Sequence, residues 1–323
     1  MRVSPFRFLF IPLIIIIFIF ASNFLMAQDD IIQKGVVVLS SKQNEDGTWD
    51  GGLYPIAISS LAGLAILGSG LGTSSPYHEN LEKLKKYLLE NQGIHGGFLV
   101  SDRNSMYGHG FATLFLSQFY GMAEDNEDMT SSLHEAARFI CENQSSRGGW
   151  YYEPGFKDDE GSVTIVQIQA LRSCRDVMIE VPASTIRKAV DYVKSSMNSD
   201  GSVRYSPSHK IDSTTAALTA AGISVLFGCG DYDFDKTKEK AFDYLNEELW
   251  QDNKEVRKKY CDPFENTDLD FKKYFERVKP DVISLLKHEL KYAWVSNTYD
   301  FYNIAMSLLI LESNLDYLPM FEN

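Results

Sequence analysis

Gln43-Asn44-Glu45-Asp46-Gly47-Thr48-Trp49 has three counterparts further along the chain. They are Gln92-Gly93-Ile94-His95-Gly96-Gly97-Phe98, Gln144-Ser145-Ser146-Arg147-Gly148-Gly149-Trp150 and the weaker Met197-Asn198-Ser199-Asp200-Gly201-Ser202-Val203. Successive copies stand 49, 52 and 53 residues apart. A near-constant period of this size marks one supersecondary unit, stacked several times. Such a unit cannot bury its apolar face alone, so the repeat sets the architecture.

A charged segment with apolar residues at helical spacing precedes each copy. Lys34-Gly35 and Leu39 lead to Gln43, Lys85-Lys86 and Leu88 to Gln92, Ala136-Ala137 and Ile140 to Gln144, and Lys188-Ala189 and Val193 to Met197. A fifth segment, with Lys240-Ala241 and Leu245, reaches Leu249-Trp250 without the Gly-x-Trp ending. A more apolar segment follows each copy. These run roughly over 54–67, 108–122, 163–174, 213–227 and 299–311, and are rich in Ala, Leu, Ile and Phe nearly all the way round. That composition predicts helices buried on several sides. The unit is helix, Gly-containing turn, helix, and the fold class is all-α. About five such pairs predict an α/α toroid or a solenoid.

The motif residues suit structural work. Gly47, Gly96, Gly148 and Gly201 fit turns that need positive φ or close backbone approach. Gln43, Gln92 and Gln144 can satisfy backbone groups at neighbouring helix ends. Trp49, Phe98 and Trp150 can pack over those amides.

The 323 residues are 44% hydrophobic and 13% aromatic, enough for one large helical domain over 28–323. A charged, helical insertion is expected at about 251–281. Arg2 and Arg7 precede an uncharged apolar run from Phe8 to Met26, then Ala27-Gln28-Asp29-Asp30. This pattern predicts a secretory signal over 1–27, cleaved near Ala27, or the same run retained as an anchor. Both place the domain outside the cytoplasm. The net charge of −13 argues against nucleic acid and anionic lipid as partners. The four cysteines, Cys141, Cys174, Cys229 and Cys261, include no Cys-x-x-Cys pair, and their spacing specifies neither a metal cluster nor a disulfide.

The repeat resembles that of squalene and oxidosqualene cyclases: Lys/Arg-Gly/Ala, an aliphatic, Gln, then Gly-x-Trp. Residues 34–49 fit it in full and 136–150 nearly so. The segments 106–115, 148–154 and 162–172 resemble secreted prenyltransferase/squalene oxidase repeat proteins. The resemblance covers about residues 31–250 and the helix near 299–311, and it implies an α/α toroid. It also allows three tests of chemistry. The cyclases' Asp-x-Asp-Asp-Thr-Ala box is matched only by Asp158-Asp159-Glu160-Gly161-Ser162-Val163, with Glu160 in place of the protonating Asp. The prenyltransferase zinc stretch Asp-Phe-Tyr-His reads Asp300-Phe301-Tyr302-Asn303 here, so no metal and no cofactor are expected. The thioester motif is replaced by Gly228-Cys229-Gly230-Asp231-Tyr232, which lacks the bond-forming Gln.

In a toroid the N-terminal ends of the inner helices line the central cavity. Here those ends carry Tyr54, Tyr107, His109, Asp158, Glu160, His209, Asp212 and Tyr299, with Tyr302 one turn on. Asp158, Glu160 and His109 are the candidate catalytic residues. Asp158 and Glu160 read structurally as an acidic N-cap, and His109 as a helix-end imidazole bonded to backbone. The tyrosines with His209 and Asp212 are candidate ligand-binding residues. Three functions remain open: an exported toroid binding an isoprenoid or other apolar ligand, a terpene-cyclase-like or prenyltransferase-like enzyme, and a scaffold in an envelope assembly. A protein partner or a second copy is expected over the open edge, because a terminal repeat must be capped.

Overall fold

The computed structural model describes residues 30–74, 76–99, 105–123, 126–208, 213–230, 235–249, 279–291 and 300–313. These form eleven helices. In chain order they are α1 (30–41), α2 (Pro55–Gly68), α3 (Tyr77–Glu90), α4 (Ser105–Phe119), α5 (Glu127–Glu142), α6 (Gly161–Asp176), α7 (Ala183–Ser196), α8 (Ala216–Gly228), α9 (Asp235–Leu249), α10 (279–291) and α11 (Phe301–Glu312). Extended pairing among the described residues is limited to isolated bridges, Trp150 with Glu160, Met197 with Val203 and Arg204 with Thr214. No helix among the described residues is long and apolar enough to cross a membrane. The apolar run 8–26 lies outside them.

Sequence pattern sorts the helices into two layers. α2 is apolar on all sides and buries every residue from Ser59 to Gly68. It packs on α4, α4 on α6 and α6 on α8, while α11 lies against α2 on its other side. α3, α5 and α7 are amphipathic. In α5, Met129, Leu133, Ala136 and Ile140 are buried while Glu135, Arg138 and Glu142 face solvent, the three- and four-residue spacing of one helical stripe. The core between the layers is continuous, from Val36 and Trp49 through Phe115 and Trp150 to Val225 and Leu308.

The four turns share one backbone geometry. Asn44, Gly93, Ser145 and Asn198 each donate N–H to the carbonyl four residues on, at 2.8–2.9 Å, and each accepts from the glycine three residues on. Glutamine side chains then clamp three of the four. Gln43 Nε2 donates to Gly47 O and to Asn80 O in α3, both at 2.8 Å. Gln92 Nε2 does the same with Gly96 O and Ser132 O, and Gln144 Nε2 with Gly148 O and Thr185 O. Each glutamine thus closes its own turn and ties it to the next outer helix. Met197 has no amide to offer, and the fourth turn is held instead by Asn198 Nδ2 donating to Ser202 Oγ at 2.9 Å and by Lys240 Nζ of α9 donating to Ser199 O at 2.8 Å. Trp49 Nε1 and Trp150 Nε1 donate to Leu39 O and Ile140 O at 2.8 and 2.7 Å, so both indoles are satisfied although fully buried.

Gly148 shows why the turn needs glycine. Its φ is +99°, and a Cβ there would stand 2.1 Å from Lys188 O in α7. Gly47 repeats the arrangement against Lys83 O.

Two expectations shift. α4 begins at Ser105 rather than at 108, so Tyr107, Gly108, His109 and Gly110 lie within the helix. Gly110 therefore gives close helix–helix contact: a Cβ there would meet Val166 Cγ1 at 2.6 Å. The expected insertion falls mostly outside the described residues, and its last three residues, 279–281, begin α10.

Candidate functional site

The N-terminal ends of α4 and α6 lie side by side. Glu160 caps α6 from an extended backbone, φ −145° and ψ 136°. Its Oε2 accepts from Val163 N–H at 2.9 Å and from Ser162 Oγ at 2.6 Å. Ser162 has a single hydrogen and gives it to the carboxylate, so in its short contact with Tyr107 the tyrosine hydroxyl is the donor. A chain Tyr107–Ser162–Glu160 results. Glu160 is only 4% exposed, and its Oε1 is buried without a hydrogen-bond partner.

Tyrosines surround this chain. The Tyr107 and Tyr152 rings stand 6.0 Å apart, and Tyr151 meets Tyr152 edge-on at 5.0 Å. Met106 N–H donates to Tyr152 O, and Gln167 Nε2 donates to Met106 O, fixing the start of α4 against α6. Gly161 N–H donates to Tyr205 O and so brings the segment before α8 to the same place. Burial raises the Tyr107 hydroxyl well above its ordinary pKa. The Ser162 bond works in the other direction, and the Glu160 charge adds to the rise. Tyr152 is raised by burial first, then by the charges of Glu160, Tyr151, Tyr205 and Tyr54. The rim therefore joins residues from the starts of α2, α4 and α6 and from the approach to α8.

Asp158 points elsewhere. Its side chain is 64% exposed and pairs with Arg147 Nη2 at 2.8 Å. Asp159, which the sequence reading passed over, is the buried member of the pair. It accepts from Arg147 Nε at 2.7 Å, Ser145 Oγ at 3.1 Å and Ser206 Oγ at 2.9 Å. The acidic triplet thus divides into a surface ion pair, a turn-binding carboxylate and a helix cap facing the tyrosines.

His109 is fully buried with both ring nitrogens engaged. Phe98 N–H donates to Nδ1 at 3.1 Å, and Nε2–H donates to Ala136 O at 3.3 Å. Burial holds the ring neutral, lowering its pKa from 6.5 to about 4. The imidazole belongs to the second turn, apart from the tyrosine cluster. This geometry favours its structural reading.

Tyr54 precedes α2 at the rim, half-buried. Tyr302 lies on α11 and is 50% exposed. Asp300 caps α11 by accepting from Asn303 N–H and Nδ2, both at 3.0 Å, so the residue standing at the family's His position is engaged in a helix cap. His209, Asp212 and Tyr299 lie outside the described residues. Among the described residues no three metal-ligating side chains come together. The sequence reading missed Ser162, Tyr152 and Tyr205. The pair Tyr151-Tyr152 directly after Trp150 was the available signal, since whatever follows the anchored indole is delivered to the same end of the inner layer.

No family model matches the sequence, and no curated protein matches it either.

Proposed function

We propose that this chain is an exported α/α toroid of the squalene cyclase and prenyltransferase-like repeat class, and that it binds an isoprenoid or other small apolar ligand. The ligand sits at the tyrosine-rimmed ends of the inner helices, over Glu160. Side-by-side packing of α11, α2, α4, α6 and α8 supports the toroid, with the shared turns holding an outer helix behind each inner one. The observation that carries the binding reading is Glu160 Oε1. A buried polar atom without a partner costs about 1–3 kcal/mol, and a ligand donor reaching Oε1 beside Tyr107 and Tyr152 would recover that cost.

Tyrosine rings give apolar contact area at low entropic cost and keep a polar tip for orientation. Titration of the full chain with farnesol, followed by calorimetry, tests the proposal. Saturable binding that is lost in Tyr107→Ala and Tyr152→Ala, with melting retained, is the expected result. Absence of binding would overturn it. The enzymatic reading rests on the same buried carboxyl as a proton source. Product from squalene or a prenyl diphosphate, abolished by Glu160→Gln, would replace binding by catalysis.

A further inference from the structure

A buried Glu160 is an unusual neighbour for a ligand that is only hydrocarbon. An apolar ligand would leave Oε1 as unsatisfied as it is now, because a CH group gives a carboxylate nothing comparable to an N–H or O–H donor. The carboxylate that acts on both Tyr107 and Tyr152 is Glu160, and the tyrosines themselves are neutral at pH 7. The cation of the adjoining turn, Arg147, is held by Asp158 and Asp159. The Tyr107, Tyr152 and Tyr151 rings, tilted and edge-on to one another, supply aromatic surface at the same place. A carboxylate oxygen without a donor and neighbouring aromatic rings attract one kind of group together: a cation bearing N–H donors.

We propose that the ligand of this site carries an ammonium head group on an apolar body, with Glu160 Oε1 accepting from the ammonium and the tyrosine rings flanking it. This rests on the reading of the tyrosine-rimmed site as a ligand pocket. Glu160 Oε2 stays engaged with Val163 and Ser162, so the carboxylate is oriented before the ligand arrives and little is lost in ordering it. The Tyr107–Ser162 link supports the same orientation from α4. An anionic head group is excluded by like charge, and the net charge of −13 attracts an amine from solution.

Calorimetry at neutral pH with the full chain and three ligands of one skeleton tests the head group: farnesylamine, farnesol and farnesoate. The inference expects farnesylamine to bind at least about tenfold more tightly than farnesol, the gain from one charge-assisted bond, and farnesoate most weakly. In Glu160→Gln, which keeps an acceptor oxygen for Val163 N–H, the amine's advantage over farnesol should fall to about twofold or less. If the variant fails to fold, the ranking of the three ligands on the native chain still decides. Equal binding of amine and alcohol, or tightest binding of farnesoate, would overturn the ammonium assignment and leave the pocket standing. No binding of any of the three would overturn both the pocket and the assignment.

Discussion

Phe98 and His109 are joined by a bond from the Phe98 N–H to Nδ1 at 3.1 Å, at a position where the other turns use a hydroxyl. Trp49 N–H donates to Ser59 Oγ, Trp150 N–H to Thr164 Oγ1 and Val203 N–H to Thr219 Oγ1. His109 is the second turn's version of a recurring structural contact, with a second bond to α5 through Nε2.

That substitution gives the fold a titratable clasp. The folded pKa is about 4 against 6.5 for the free side chain, so the unfolded chain binds the proton more readily. Stability is full above about pH 6.5 and falls as pH drops towards 4, by a total of about 3 kcal/mol. Denaturant midpoints measured between pH 7 and 4 should show this loss. His109→Thr, which restores the hydroxyl of the other turns, should be less stable at pH 7 but lack this component of the acid dependence. An unchanged acid dependence in the variant would count against the buried neutral imidazole.

Gly148 and Gly121 separate conformation from contact. Both have positive φ, +99° and +86°, but a Cβ on Gly148 would meet Lys188 O at 2.1 Å while one on Gly121 meets nothing within 4 Å. Gly121→Ala should cost about 1 kcal/mol, the left-handed penalty alone. Gly148→Ala should cost about 3 kcal/mol or more, because the turn must leave α7. Thermal melts of the two variants make the comparison. Equal costs would mean that the turn is not held against α7.

Arg147 and Asp159 form the ion pair in which one partner is fully enclosed: the Asp159 side chain is 0% exposed. Arg147→Met should destabilise by about 3 kcal/mol by leaving the buried carboxylate without its cation. Ser145 and Ser206 remain as donors, so the double variant Arg147→Met with Asp159→Asn should recover part of that loss. Chemical denaturation of the three variants reads it directly. A double variant no better than Arg147→Met would show that the pair is not coupled.

The turns were legible in the sequence because each of their residues does one local thing: glycine makes the close approach, glutamine reaches two carbonyls, and tryptophan bonds the preceding helix. The all-helical class followed from the same spacing. The candidate site was legible only in part. Tyr54, Tyr107 and Glu160 were placed at helix starts, and three of the four N-terminal inner helices do bring those starts together. Asp158 was chosen over Asp159 because the motif comparison weighs position and not burial: both carboxylates reach Arg147, but the Asp158 side chain is 64% exposed and that of Asp159 is 0% exposed. His109 was placed at the start of an inner helix, whereas α4 starts three residues before 108 and the residue is fully buried. Tyr205 carries no motif, and Ser162 and Tyr152 lie in segments that resemble the family without being marked as site residues. Their role arises from contacts between segments about 40 to 55 residues apart, which no local pattern encodes.

Native mass spectrometry of the full chain, purified without delipidation and compared with Glu160→Gln, tests the central claim most directly. The account predicts one discrete small molecule bound per chain, positively charged at its head group, present in the native protein and lost or strongly reduced in the variant at equal melting temperature. A mass equal to the bare chain in both, after exposure to the same cellular extract, would contradict the reading of the tyrosine-rimmed end as a ligand site.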